Sequence, residues 1–166
     1  AAAWLFPHRE VFNMHFAWCD YDPASMAFVE NWLDAAAVRS TGLEDGFRDF
    51  YEYWAAEPGY RVGENYWCKV AYETDTPIGI IACALYESKT TIMEILIAPE
   101  RRGQGNGTKL LTELHSRANI LGFQIEKSEA VIFPDNTASQ RAFEKAGFYH
   151  YHTYEDGSAH IYVYER

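Results

Sequence analysis

Glu94 is the side chain from which chemistry is most directly expected. It is a carboxylate set inside the apolar run Ile92-Met93-Glu94-Ile95-Leu96-Ile97, where a charge is unusual unless something is there to meet it. It could act as a proton acceptor, face solvent, or pair with a Lys or Arg. A few residues on, Gly103-Gln104-Gly105-Asn106-Gly107 follows Arg102. Glycines let backbone approach a ligand closely, and a helix start behind them offers unpaired N–H groups to an anion. His150-x-His152 puts two imidazoles on one face of a strand, with His160 opposite. No third metal ligand is fixed by the sequence, so sheet-surface histidines, and no metal, are expected. Cys19, Cys68 and Cys83 are widely spaced, odd in number and without a C-x-x-C. Reduced thiols fit that pattern; zinc and a disulfide framework do not.

The elements that must position these groups follow from the apolar period. Over residues 92–114 a β-prone run meets Pro99, which cannot donate to a sheet ladder and closes the strand. Beyond the glycines the period becomes helical, with Leu110, Leu111, Leu114, Ala118 and Leu121 on one face. Two glycine loops are excluded at once. A Walker A loop needs Lys after its last Gly, and Thr108 follows Gly107; the dinucleotide fingerprint would need Gly at 108. What remains, Arg102-x-x-Gly105-x-Gly107 behind Ile97-Ala98-Pro99, resembles the acetyl-CoA signature of the GNAT N-acetyltransferase superfamily, Arg/Gln-x-x-Gly-x-Gly/Ala.

The rest of the chain fits one mixed α/β domain over residues 1–166. A strand is expected at 11–19, a helix at 24–39, a second at 43–56, and strands at 66–73, 78–87 and 90–97. The run 78–85 is almost wholly apolar and should be buried on both faces. The glycine-loop helix should reach Gly122 as its cap. A strand at 128–133, a helix at 135–146 with a Thr137-x-x-Gln140 capping box, and a hairpin of 148–154 and 159–164 around Asp156-Gly157 complete the chain. The order β-α-α-β-β-β-α-β-α-β-β looks like that of the GNAT fold over nearly the whole chain.

Asn136-x-x-Ser139-x-x-x-Phe143-x-x-x-Gly147-Phe148 resembles the second GNAT signature, in which the Phe143 position is commonly Tyr. The resemblance implies acetyl-CoA as co-substrate. Arg102, Gly103, Gln104, Gly105, Asn106, Gly107 and Thr108 would present N–H groups to its pyrophosphate. Main-chain groups of Ile95 and Ile97 would pair with the pantetheine arm, and Asn136, Ser139 and Phe143 would flank that arm near the thioester. A strand N–H at Leu96 or Ile97 would stabilise the oxyanion. Glu94 would serve as the catalytic base or the amine contact. Phe143 cannot act as the general acid; Tyr149, Tyr151 or Ser139 are the replacements to consider. The alternative is a non-catalytic acyl-CoA-binding module.

Composition narrows the partners. The formal charge of −10 argues against nucleic acid, which needs a basic face, and favours a cationic amine acceptor. Residues 1–65 carry 11 acidic and 4 basic side chains, and Glu44, Asp45, Asp49 and Glu52 could rim the acceptor groove. No run approaches the roughly 18 apolar residues of a membrane span, and the first ten residues lack the basic flank and apolar core of a signal peptide. A cytoplasmic protein is expected, with a homodimer compatible.

Overall fold

The computed structural model describes residues 15–166. The expected first strand lies mostly outside them; its described part is β1, Ala17–Asp20. A short 3-10 helix, Ala27–Trp32, leads to α1 (Ala35–Thr41) and α2 (Phe47–Ala56). Strands β2 (Tyr66–Glu73), β3 (Thr76–Tyr86) and β4 (Lys89–Ile97) follow. Then come α3 (Asn106–Ser116), β5 (Lys127–Ile132), α4 (Thr137–Lys145), β6 (Tyr149–Thr153) and β7 (His160–Glu165). The seven strands form one sheet in the order β1-β2-β3-β4-β5-β7-β6. Among the strands of the described residues, only β4 and β5 pair in parallel.

The central strand explains the layering. From Ile78 to Cys83 every β3 residue with a side chain is fully buried, because helices cover both faces. Ile80 and Ala82 pack with Ala37 of α1 and Phe47 of α2. Ile81 and Cys83 pack with Leu111 and Leu114 of α3 and Phe143 of α4. Each fully buried aliphatic side chain contributes about 1.5–3 kcal/mol, so the helices are held to the sheet mainly by these alternating rows. Gly79 has a packing reason: a Cβ there would meet Ile97 and Leu110 side chains at 2.9 Å.

Several expected boundaries move, each for a reason distant in sequence. The helix expected over 24–39 is two pieces. Arg102 Nη2 donates to the Trp32 carbonyl at 2.6 Å, and the Asp34 carboxylate accepts the Ala37 N–H at 2.9 Å, starting α1 afresh. The helix expected from 43 begins at Phe47. Gly46, at φ 94°, ends the preceding turn, and the Glu30 carboxylate caps the new helix through the Phe47 and Arg48 N–H groups at 3.0 and 2.8 Å. A Cβ at Gly46 would collide with that carboxylate. The third helix stops at Ser116 rather than at Gly122, with the His115 carbonyl taken by the Gln124 amide. The capping box at Thr137 does not form. Asn136 caps α4 by accepting the Ser139 N–H at 3.2 Å, while Gln140 donates to the Phe133 and Pro134 carbonyls.

Two polar groups pin α3 in place. Glu113, 4% exposed, accepts from the Phe16 N–H, from Trp18 Nε1 at 2.8 Å and from Arg117 at 3.2 Å. It thereby ties the entry to the edge strand β1 to the helix. His115 is also buried. Its Nδ1 lies 2.7 Å from the Leu111 carbonyl and its Nε2 2.7 Å from the Ser128 hydroxyl. A carbonyl only accepts, so Nδ1 carries a proton; burial holds the ring's pKa below the usual histidine range, favouring the neutral form.

Candidate active site

The site grows from one irregularity in the sheet. β4 pairs with β3 along its length, but with β5 only where Lys89–Ile92 face Lys127–Ala130. Beyond Ile92 the parallel pairing ends. The register against β3 also slips there: Ile92 faces Cys83 and Glu94 faces Ala82, leaving Met93 as a bulge. A bulge bends its strand and re-aims the neighbouring side chains. The Ala98 N–H donates to the Ile78 carbonyl at 2.9 Å. By alternation Leu96 also faces β3, whereas Ile95 and Ile97 turn their backbone groups away from it, into the gap. Of the two oxyanion donors suggested by the sequence, therefore, Ile97 faces the gap and Leu96 is engaged in the ladder.

Two adjoining clefts occupy this divergence. The larger, about 570 Å³, runs between Glu94–Ile97 of β4, the glycine loop and the start of α3, α4, and Ala36–Thr41 of α1. The smaller, about 200 Å³, lies between Ile92–Ile95 and Ala130–Phe133, closed by Ser40, Thr41, Asn136, Ser139 and Phe143. Glu94 borders both, and it is the sole carboxylate among the described residues lining either.

The glycine loop is shaped by its backbone. Gly103 and Gly105 adopt φ of 70° and 80°, which L side chains rarely tolerate, and a Cβ on either would enter open space. Gly105 starts α3 without any side-chain cap, so the N–H groups of the first turn point toward the cleft without intrahelical acceptors. Gly107 sits where a Cβ would touch Ala142 of α4 at 3.6 Å. Arg102, Asn106 and Thr108 line the cleft as well; Gln104 does not, and instead donates to the Glu100 carbonyl at 2.9 Å. The Arg102 guanidinium is committed to protein groups: Asp34 at 2.7 Å, the Trp32 carbonyl and the Ile97 carbonyl at 3.1 Å. The Ala37 N–H, joined by that pairing, holds the Asp34 carboxyl below its usual pKa.

On the α4 side, Asn136 and Ser139 border both clefts. Phe143 is 3% exposed, packing edge-on against Phe148 at 4.9 Å. Of the three replacement proton donors, Ser139 lines the clefts, whereas Tyr149 and Tyr151 do not.

Glu94 is electrostatically unusual. Half-buried at the junction of the clefts, its carboxyl is pushed up to about 8 by desolvation, against the opposing pull of the Ile95 N–H, which donates to Oε1 at 3.2 Å. The sequence alternative of a Lys- or Arg-paired Glu94 does not fit these surroundings, since no salt bridge reaches it among the described residues.

Other lining groups were not legible in the sequence: Ser40 and Thr41 at the end of α1, Phe133 beyond β5, and Arg141 and Lys145 on α4. The proposed acidic rim is elsewhere. Glu44, Asp45, Asp49 and Glu52 border neither cleft, and Glu52 pairs with Arg48 at 2.8 Å. The histidines also differ from expectation. A slip in the β6–β7 register sets His150 opposite Tyr162 but His152 opposite Ile161, which puts the two rings on opposite faces. His150 and His160 share one face, bridged by the Thr153 hydroxyl at 2.8 Å to each. Among the described residues no group of three His, Cys, Asp or Glu side chains is placed to hold a metal, and no helix is long and apolar enough to cross a membrane.

Comparison with known proteins adds independent findings. The model of the acetyltransferase (GNAT) family matches residues 26–148. A search of curated protein sequences gives no match. Among solved structures, the chain is similar to AAC(6')-Ib in complex with paromomycin and acetyl-CoA, at 22% identity and TM-score 0.69 over 92% of this chain and 94% of that one. It is similar also to an acetyltransferase from Thermus thermophilus (15% identity, TM-score 0.71, 92% and 98% covered). A spermidine N-acetyltransferase chimera from Vibrio cholerae and hSSAT aligns at 16% identity and TM-score 0.68, over 92% and 96%. At these identities the structural likenesses establish the fold.

Proposed function

The chain belongs to the acetyltransferase (GNAT) family, and from that premise we propose that it moves an acetyl group from acetyl-CoA directly to a primary amine on a cationic small molecule or basic peptide. The observation that carries the reading is the divergence of β4 from β5, with a glycine cradle on one side and a lone, desolvated carboxylate at its junction.

The residues present suit the co-substrate. Left-handed Gly103 and Gly105 leave open space where side chains would stand, and the start of α3 favours negative charge by about 0.3–1 kcal/mol per anion. These groups would hold the pyrophosphate; Ile95 and Ile97 would pair with the pantetheine arm, flanked by Asn136, Ser139 and Phe143. When bound, acetyl-CoA supplies an acyl thioester whose carbonyl is open to an amine.

The protein's own part is proton handling and charge stabilisation. Glu94 accepts the proton that the amine gives up as its nitrogen bonds the acetyl carbon and the C–S bond breaks. The Ile97 N–H meets the negative charge developing on the acyl oxygen. A thiol leaves with a pKa of about 8.5–10, so Phe143 in place of a phenol is compatible with turnover, and Ser139 is one of the hydroxyls lining the cleft, with Ser40, Thr41 and Thr108. Phe143 also supports a second reading, an acyl-CoA-binding module without chemistry. Calorimetry with acetyl-CoA together with thiol release across an amine panel separates the two. Binding with amine-dependent release supports the enzyme; binding without release supports the module.

A further inference from the structure

We infer that the acceptor carries a single ammonium group on an apolar, preferably aromatic, body, and that Phe133 and Val131 select it. The inference rests on the acetyltransferase reading and sharpens it.

The smaller cleft has two chemically distinct sides. Along β5, Ser128, Ala130 and Ile132 are buried against the α3–α4 layer, so alternation sends Val131 to the other face of the sheet, and Phe133, just beyond the strand, borders the same cleft as Val131. Glu94 lies on that same face, in the row of Leu96, which packs with the α1–α2 cluster. Val131 and Phe133 line the cleft yet remain 49% and 48% exposed. In the next strand Ile161 stands opposite Val131 and extends the apolar strip. An amine reaching Glu94 through this cleft thus has one carboxylate for its nitrogen and an uncovered apolar wall beside it. The remaining polar side chains of the cleft, Ser40, Thr41, Asn136 and Ser139, are neutral.

The charge count decides between acceptor classes. A polycation would bring several ammonium groups to a cleft with one carboxylate, and its further charges would lie against Val131 and Phe133. The acidic residues of α2, which could have served them, border neither cleft. A monoamine with an aryl or branched alkyl body covers the apolar wall instead.

The experiment measures kcat/KM for 2-phenylethylamine, ethylamine and spermidine at saturating acetyl-CoA, in wild type and Phe133→Ala. The expected result is at least a tenfold preference for 2-phenylethylamine over both other amines, falling at least fivefold in the variant through KM. Because Phe133 does not border the glycine-loop cleft, acetyl-CoA affinity by calorimetry reports whether the variant retains its fold. Preference for spermidine, or a Phe133→Ala effect equal for ethylamine and 2-phenylethylamine, overturns the inference and leaves the acetyltransferase reading standing. Acetyl-CoA binding without thiol release from any of the three overturns both.

Discussion

Desolvation of Glu94 makes its chemistry and its cost to the fold inseparable. A carboxyl held at about 8 is mostly protonated at neutral pH until a cation arrives, and ionised above that pH. Linkage then fixes the sign. The folded pKa lies above the unfolded one, so the folded state holds the extra proton between about 4.5 and 8. Stability from this group is full below 4.5 and is lost as pH rises through 8. Glu94→Gln, which cannot ionise, should therefore match wild-type Tm near pH 4.5 and exceed it by a margin that widens up to about pH 8.5. Thermal melts over that range check it; a variant less stable than wild type at about pH 8 would show that the carboxylate is a structural partner. The presence of Glu94 in an apolar strand was plain from sequence. Its environment was not, because the Met93 bulge depends on pairing with the neighbouring strand β3.

At the level of elements, contiguous motifs were readable and long-range caps were not. The strand–glycine–helix unit and the Asn136 helix sit where their spacing placed them, because turn chemistry is local. The breaks at Asp34 and Gly46 were missed because Arg102, 68 residues from Asp34, and Glu30, 17 residues before Phe47, impose them. The same contact between α3 and α4 argues the next expectation. Gly107 can accept a Cβ against Ala142 at ordinary van der Waals distance, but the branched methyls of valine must enter the space between the helices and the cleft. Gly107→Val should abolish acetyl-CoA binding by calorimetry while circular dichroism keeps the wild-type signature. Unchanged affinity would remove the cradle from the cofactor site.

For the whole molecule, the decisive feature is a sheet held together on one side of a gap and opened on the other. Two clusters, one under α1–α2 and one under α3–α4, cover the two faces of the sheet, and the second joins strands from both sides of the gap. The edge strand β1 is joined to the second layer through Glu113. Deleting that carboxylate strands the Phe16 and Trp18 N–H groups, each costing about 1–3 kcal/mol when unsatisfied. Glu113→Ala should therefore lower unfolding stability by a few kcal/mol in urea titrations, and a loss under about 0.5 kcal/mol would show that water replaces the carboxylate. The layering and strand count were legible from alternation; the gap was not, since no periodicity encodes where two parallel strands part. Within it, amine acetylation by Glu94 is tested most directly by amine-dependent CoA release at saturating substrates as a function of pH, in wild type and Glu94→Gln. Wild-type kcat/KM for the amine, which reports the free enzyme, should rise through an apparent pKa near 8. The variant should lose that limb and at least tenfold in turnover, about 1.4 kcal/mol of barrier. Turnover of Glu94→Gln within twofold of wild type, with the same pH profile, would contradict it.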